Sequence, residues 1–187
     1  HADLTIAISE QTKQDIVEFY KIKPESIKVI YQTCHENFRK EYSKEDIDFT
    51  KKKFNLPKDF MLNVGTIETR KNLISIINAM SVMKMDVPLV VVGKKTQYMN
   101  FLKIQMKKMN FDSKKIIFLE DVSIDELPII YSLSSLFLYP SLFEGFGIPI
   151  LEALNCKTPV ISSKGSCFQE AGGDFSKYID SENREEF

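Results

Sequence analysis

Seven short runs rich in Val, Ile, Leu and Phe, at 4–8, 27–31, 60–64, 88–92, 116–119, 135–139 and 159–162, recur along the chain with helical-period stretches between them. Several are apolar on both faces, which a strand covered from both sides requires. The stretches between carry stripes at 3.6-residue spacing: Leu73, Ile76, Ile77, Met80 and Met83 form one, and Tyr98, Leu102, Met106 and Met109 another. Lys103, Lys107 and Lys108 fall on the polar side of the second stripe. Strand–helix alternation implies right-handed βαβ crossovers, hence an α/β fold with a Rossmann-like, doubly wound, mostly parallel sheet. Such sheets bind ligands beyond the carboxyl ends of their strands, so chemistry is expected in the loops that follow them.

Residues 1–31 read as one strand–helix–strand piece, the polar stretch 32–53 as a linker, and 54–187 as the main domain. The start at His1 within a strand-like run, and the charged stretch 180–186 that reads as the beginning of a helix, suggest a fragment of a longer protein. Apolar residues make up 43% and charged residues 27% of the chain, which excludes a disordered or fibrous class. Twenty-five Lys and Arg against twenty-six Asp and Glu leave a net charge of −1, giving no global case for nucleic acid. No apolar run approaches the roughly 20 residues that span a bilayer. Cys34, Cys156 and Cys167, without CxxC spacing, read as buried thiols of a reducing, cytoplasmic compartment. Two histidines, His1 and His35, are too few for a histidine-based metal centre. The run Lys51 to Lys53 reads as a solvated helix face, with an acidic membrane surface as the sharper reading.

Two post-strand loops stand out. The first runs Gly65-Thr-Ile-Glu-Thr-Arg70-Lys71-Asn72 into the helix of the Leu73 stripe. Cations at a helix amino terminus are unfavourable by about a few tenths of a kcal/mol each. A bound diphosphate would reverse that sign, taking the Arg70 fork, the Lys71 ammonium and backbone N–H groups together. The plainer reading extends both side chains into solvent. The second loop holds Glu144, Gly145 and Gly147, with Pro149 at a helix start and Glu152 a turn inside it. Carboxylates repel phosphate but match hydroxyl donors, above all a vicinal diol. Carboxylates flanking a phosphate-binding turn in one crevice point to a nucleotide-sugar; an exposed Glu144 with a capping Glu152 is the alternative. A glycosidase pair would leave the basic and glycine loops without a role.

The run Glu144 to Glu152, EGFGIPILE, resembles the E-x7-E motif of the retaining glycosyltransferases of family four, which have the GT-B fold. The runs 64–72, 88–93, 117–122, 159–163 and 169–172 resemble that family's further segments, in the expected order. The resemblance implies a hexosyl transfer from a GDP- or UDP-linked sugar to a sugar or lipid-linked sugar, with retained anomeric configuration. Neither metal nor cofactor is implied, nor any nucleic acid. It places the work in cell-surface polysaccharide or glycolipid synthesis, with peripheral contact at the inner face of the membrane through segments outside this chain.

By the same resemblance, Arg70 and Lys71 grip the diphosphate, beside Gly65, which leaves room for it, and Thr66. Glu144 holds donor-sugar hydroxyls near the reacting carbon, and backbone N–H groups around Gly145, Phe146, Gly147 and Ile148 meet the donor. Glu152 binds the ribose diol, and the main chain of Val122 meets the base. Residues 1–31 resemble the end of an acceptor-side domain, so the chain alone is expected to be inactive. Glu120-Asp121 stands where the family has Gly and a small or aromatic residue, and Thr66 where some members place a second cation. A non-catalytic nucleotide-binding module of the same fold and a sugar-nucleotide epimerase are the rival readings. A phosphorylase would need a lysine motif for pyridoxal phosphate, which is missing.

Overall fold

The computed structural model describes residues 3–181 and 183. A parallel pair, β1 (Thr5–Ala7) and β2 (Ile27–Val29), is joined by α1 (Glu10–Tyr20). The larger sheet has six strands: β3 (Met61–Val64), β4 (Leu89–Val92), β5 (Ile116–Leu119), β6 (Leu136–Tyr139), β7 (Val160–Ser163) and β8 (Ser176–Ile179). All are parallel, in the order β5-β4-β3-β6-β7-β8. The crossovers are α3 (Leu73–Val82), α4 (Tyr98–Lys108), α5 (Leu127–Leu133), α6 (Ile148–Asn155) and α7 (Phe168–Gly172), with α2 (Lys44–Lys53) preceding β3. The expected α/β architecture is therefore present, and each expected apolar run contains a strand. The edge strand β8 was not expected: its Ser-Lys-Tyr-Ile sequence gives only two apolar residues.

Pleating sends alternate residues of each strand to opposite faces. Leu62, Val90, Phe137 and Tyr139 enter a core with Ile130, Ile150 and Phe168. Met61, Leu89, Val91 and Leu138 enter a second core with Leu73, Ile76, Ile77, Leu102 and Met106. The helix stripes thus pack as expected, except that Met83 lies beyond the last turn of α3 and is exposed. Within 32–53, Cys34 and Phe38 are buried in the first core, and Phe38 meets Tyr131 edge-on at 5.8 Å. Lys51, Lys52 and Lys53 are exposed on α2, and Lys53 pairs with Glu126 at 2.5 Å. Cys34 and Cys167 are buried and Cys156 half-buried, all as free thiols. Among the described residues no helix is long and apolar enough to cross a membrane. Of the stretch 180–186, Asn183 donates its N–H to Asp180 O at 3.0 Å in a turn; the rest of the expected helix start lies largely outside the described residues.

The strand order reverses at β3, because the chain builds outward through β4 and β5 and then returns to β6 on the other side. The β3–β4 ladder runs on to Val64↔Val92, whereas the β3–β6 ladder ends at Leu62↔Phe137. Past that point Asn63, itself buried, donates Nδ2–H to Leu138 O at 2.8 Å and replaces the lost backbone pairing. Truncating it orphans that buried carbonyl. Asn63→Ala should therefore cost about 1–3 kcal/mol of unfolding free energy, read as a lower urea midpoint at unchanged slope; an unshifted midpoint would refute the pinning role.

Candidate active site

The loops after β3 and β6 meet at this reversal. The first forms a 3-10 turn, Thr69–Lys71, and Asn72 then adopts a left-handed φ of 51° before α3 begins. Arg70 and Lys71 therefore stand ahead of the first turn of α3, and the expected conflict with its amino terminus is avoided by that break. Their charges meet an anion from the chain itself. Lys71 Nζ donates to Glu144 Oε1 at 2.6 Å and to Tyr139 Oη at 3.0 Å. Arg70 Nη1 lies 2.5 Å from Glu144 Oε2, while its Nη2 pairs with Glu68 Oε1 at 2.7 Å. Ser141 Oγ adds a third donor to Glu144, at 2.6 Å from Oε1.

Arg70 also ties the loops together mechanically. Its Nη1 donates to Phe143 O at 2.8 Å, and its carbonyl accepts the Leu142 N–H at 2.9 Å. Gly65 makes room for Lys71, since a Cβ there would stand 3.2 Å from Lys71 Cε. Gly147, with φ of 105°, turns the second loop into α6, where Pro149 occupies the first turn.

The Lys71 and Glu144 side chains keep only 13% and 12% of their surface in water, so this pair sits in a low-dielectric setting. Burial pushes the Glu144 carboxyl up, but Lys71, Ser141 and Arg70 outweigh it and hold it below the ordinary range. Burial and then the Glu144 charge push Tyr139 far up, so its hydroxyl stays neutral. Glu152, on α6, accepts a hydrogen bond from the buried Tyr131 hydroxyl at 2.9 Å, reaching toward α5. Burial raises its carboxyl, with the Tyr131 hydrogen bond opposing. No hydrogen bond or ion pair joins Glu144 to Glu152 among the described residues.

The remaining expected residues are dispersed around this centre. Thr66 is exposed, Ile148 half-buried, and Val122 half-buried against the first core. Glu120 is taken up by Lys95, at 2.7 Å, and Asp121, where the family has a small or aromatic residue, has a left-handed φ of 56°. Phe146 is buried under Tyr31, their rings stacked at 5.5 Å. Gly145 O accepts from Ser9 Oγ at 2.7 Å, so the β1–α1–β2 unit rests on the second loop. Among the described residues no group of three or more His, Cys, Asp or Glu could hold a metal ion. Sequence reasoning missed Tyr139, Ser141 and Glu68; Tyr139 ends β6 and Ser141 stands in the loop just after it, ahead of the glycines, a position that signals them.

The sequence profile of Glycosyl transferases group 1 matches residues 44–186. The chain belongs to this family. Serotype-specific mannosyltransferase WbdA of Escherichia coli is 32% identical over 179 residues, 92% of this chain and 22% of WbdA. O-antigen chain mannosyltransferase RfbU of Salmonella typhimurium is 32% identical over 175 residues, 93% of this chain and 46% of RfbU. The chain thus spans less than half the length of these relatives. Anabaena HepE, solved in complex with UDP and glucose, superposes with a TM-score of 0.84 at 22% identity, over 99% of this chain and 51% of HepE. That likeness establishes the glycosyltransferase GT-B type of fold for this group 1 chain.

Removing one partner of the buried pair should be costly, about 3 kcal/mol for Lys71→Ala or Glu144→Ala. A carboxyl held below its unfolded value stabilises fully above that value, and the gain is lost as pH falls through the folded one. The stability gap between wild type and Glu144→Gln should accordingly narrow below about pH 4.3, as urea titrations at several pH values would read. A gap independent of pH would contradict the pairing.

Proposed function

We propose that the chain is the donor-binding half of a retaining glycosyltransferase. It moves a hexosyl group from a nucleoside diphosphate sugar, GDP- or UDP-linked, to a hydroxyl of a sugar or lipid-linked sugar. Mannosyl is the group favoured, because the names of both relatives carry it. The O-antigen in the name of RfbU supports a place in cell-surface polysaccharide synthesis. The observation that carries the reading is the pair of cations, Arg70 and Lys71, gathered on one carboxylate at the sheet's point of reversal.

In the free chain Glu144 bridges both cations, and Glu68 shares Arg70. A donor diphosphate takes over the Arg70 and Lys71 charges, and the displaced Glu144 turns to the hydroxyls of the donor sugar. Negative charge develops on the leaving diphosphate as its bond to the sugar lengthens, and the fixed cations stabilise it there. Backbone N–H groups from Gly145 to Ile148 line the same loop. Glu152, kept partly desolvated beside Tyr131, offers two acceptor oxygens to the ribose diol. The main chain at Val122 contacts the base, and Gly65 and Thr66 flank the diphosphate.

Calorimetric titration with UDP, GDP and ADP tests this directly. One nucleotide should bind saturably, and Arg70→Ala should weaken it by about 1.5–3 kcal/mol, the range for a charged hydrogen bond. Glu152→Gln should weaken it too. Glu144→Gln, which leaves Lys71 without its carboxylate and Arg70 with Glu68 alone, should tighten binding of the sugar-free nucleotide while lowering transfer by the full-length enzyme about a hundredfold. Nucleotide affinity indifferent to both Arg70→Ala and Glu144→Gln would remove the diphosphate from this site.

A further inference from the structure

Helix α4 carries a surface that the transfer reaction leaves unused. Met99, Leu102 and Met106 fix its inner face in the core. The helical period then turns Asn100, Phe101, Ile104, Lys107 and Lys108 outward, with Lys103 on the flank. Phe101 and Ile104 are 43% and 55% exposed, one turn apart on the crest, and the Phe101 ring is braced by Tyr98 stacked at 5.2 Å.

The charge around that crest is one-sided. Helix α4 itself holds three lysines and no aspartate or glutamate, in a chain whose net charge is −1; of the other lysines within 94–115, Lys95 pairs with Glu120 and Lys115 with Asp86. Lys103, Lys107 and Lys108 are exposed and make no ion pair among the described residues. The two lysines of the last turn suit the helix dipole. That does not account for Lys103 or for two large apolar side chains facing water.

We infer that the outer face of α4 docks on an anionic phospholipid surface. Apolar residues on the crest of a basic helix with lysines beside them are the pattern of a helix lying in a membrane interface. The lysine stems lie along the acyl boundary while their ammonium groups reach the headgroups. An acidic protein or an RNA would engage the lysines but would leave Ile104 without a partner. Because α4 crosses over to the edge strand β5, on the sheet face away from α5 and α6, docking there leaves the crevice between β3 and β6 uncovered. The inference goes beyond the proposed transfer and stands without it.

Vesicles of phosphatidylcholine, with and without about one-third phosphatidylglycerol, provide the test. The chain should sediment with the anionic vesicles only, and lose them at about 1 M salt, where the Debye length is about 3 Å. The triple variant Lys103→Gln/Lys107→Gln/Lys108→Gln should bind at least about tenfold more weakly. Because the chain has no Trp, Phe101→Trp supplies a single tryptophan, excited selectively over the tyrosines, whose fluorescence should shift to the blue on the anionic vesicles. Equal binding to both vesicles, unchanged affinity of the triple variant or an unmoved emission maximum would each overturn the assignment. So would tighter binding to a mixed-sequence RNA oligonucleotide than to the anionic vesicles.

Discussion

The reversal of strand order at β3 is the constraint on which the site depends. Two parallel strands that leave the sheet centre in opposite directions cannot both keep a neighbour's loop over their ends, so a crevice opens where they part. Here the parting is sharp, because registered pairing between β3 and β6 stops at Leu62↔Phe137 while β3 and β4 stay paired through Val64↔Val92. Asn63 holds the strands together below the opening, and the two loops above it supply opposite charges. Placement of the cations is thus a property of topology first and of side-chain choice second.

The Glu144 carboxylate shows how two adjacent cations can be held together in the folded chain. Arg70 and Lys71 one residue apart would repel each other across a poorly solvated space. A carboxylate between them removes that cost, and Ser141 completes its hydrogen bonding. The arrangement keeps the cations at the spacing of two anionic oxygens. A buried pair of this kind contributes little net stability relative to an apolar replacement.

Much of this architecture was legible in the chain. Short apolar runs revealed seven strands, β1 to β7, and periodicity placed Leu73, Ile76 and Leu102 inward, because both signals come from burial itself. Strand β8 was illegible: an edge strand with Ser176 and Lys177 at its start lacks the apolar continuity of a covered one. Arg70, Lys71 and Glu144 were singled out from separate loops, yet their mutual contact depends on a fold-level juxtaposition 73 or more residues apart in sequence. Glu152 was expected to share one crevice with Glu144; its hydrogen bond from Tyr131 is a contact that no local spacing could announce.

The seat of the β1–α1–β2 unit has a mechanical corollary. Glu170 accepts the N–H groups of Glu10 and Gln11 at the amino end of α1, Ser9 donates to Gly145 O, and Tyr31 lies on Phe146. Gly145 directly follows the residue that Lys71 and Arg70 compete for. The glycine loop is therefore a shared bearing between the unit that precedes the sheet and the anion held within it. Thermodynamic reciprocity then requires that, where a ligand which reseats Glu144 alters the hold on α1, whatever tilts α1 alters the ligand's affinity by the same factor.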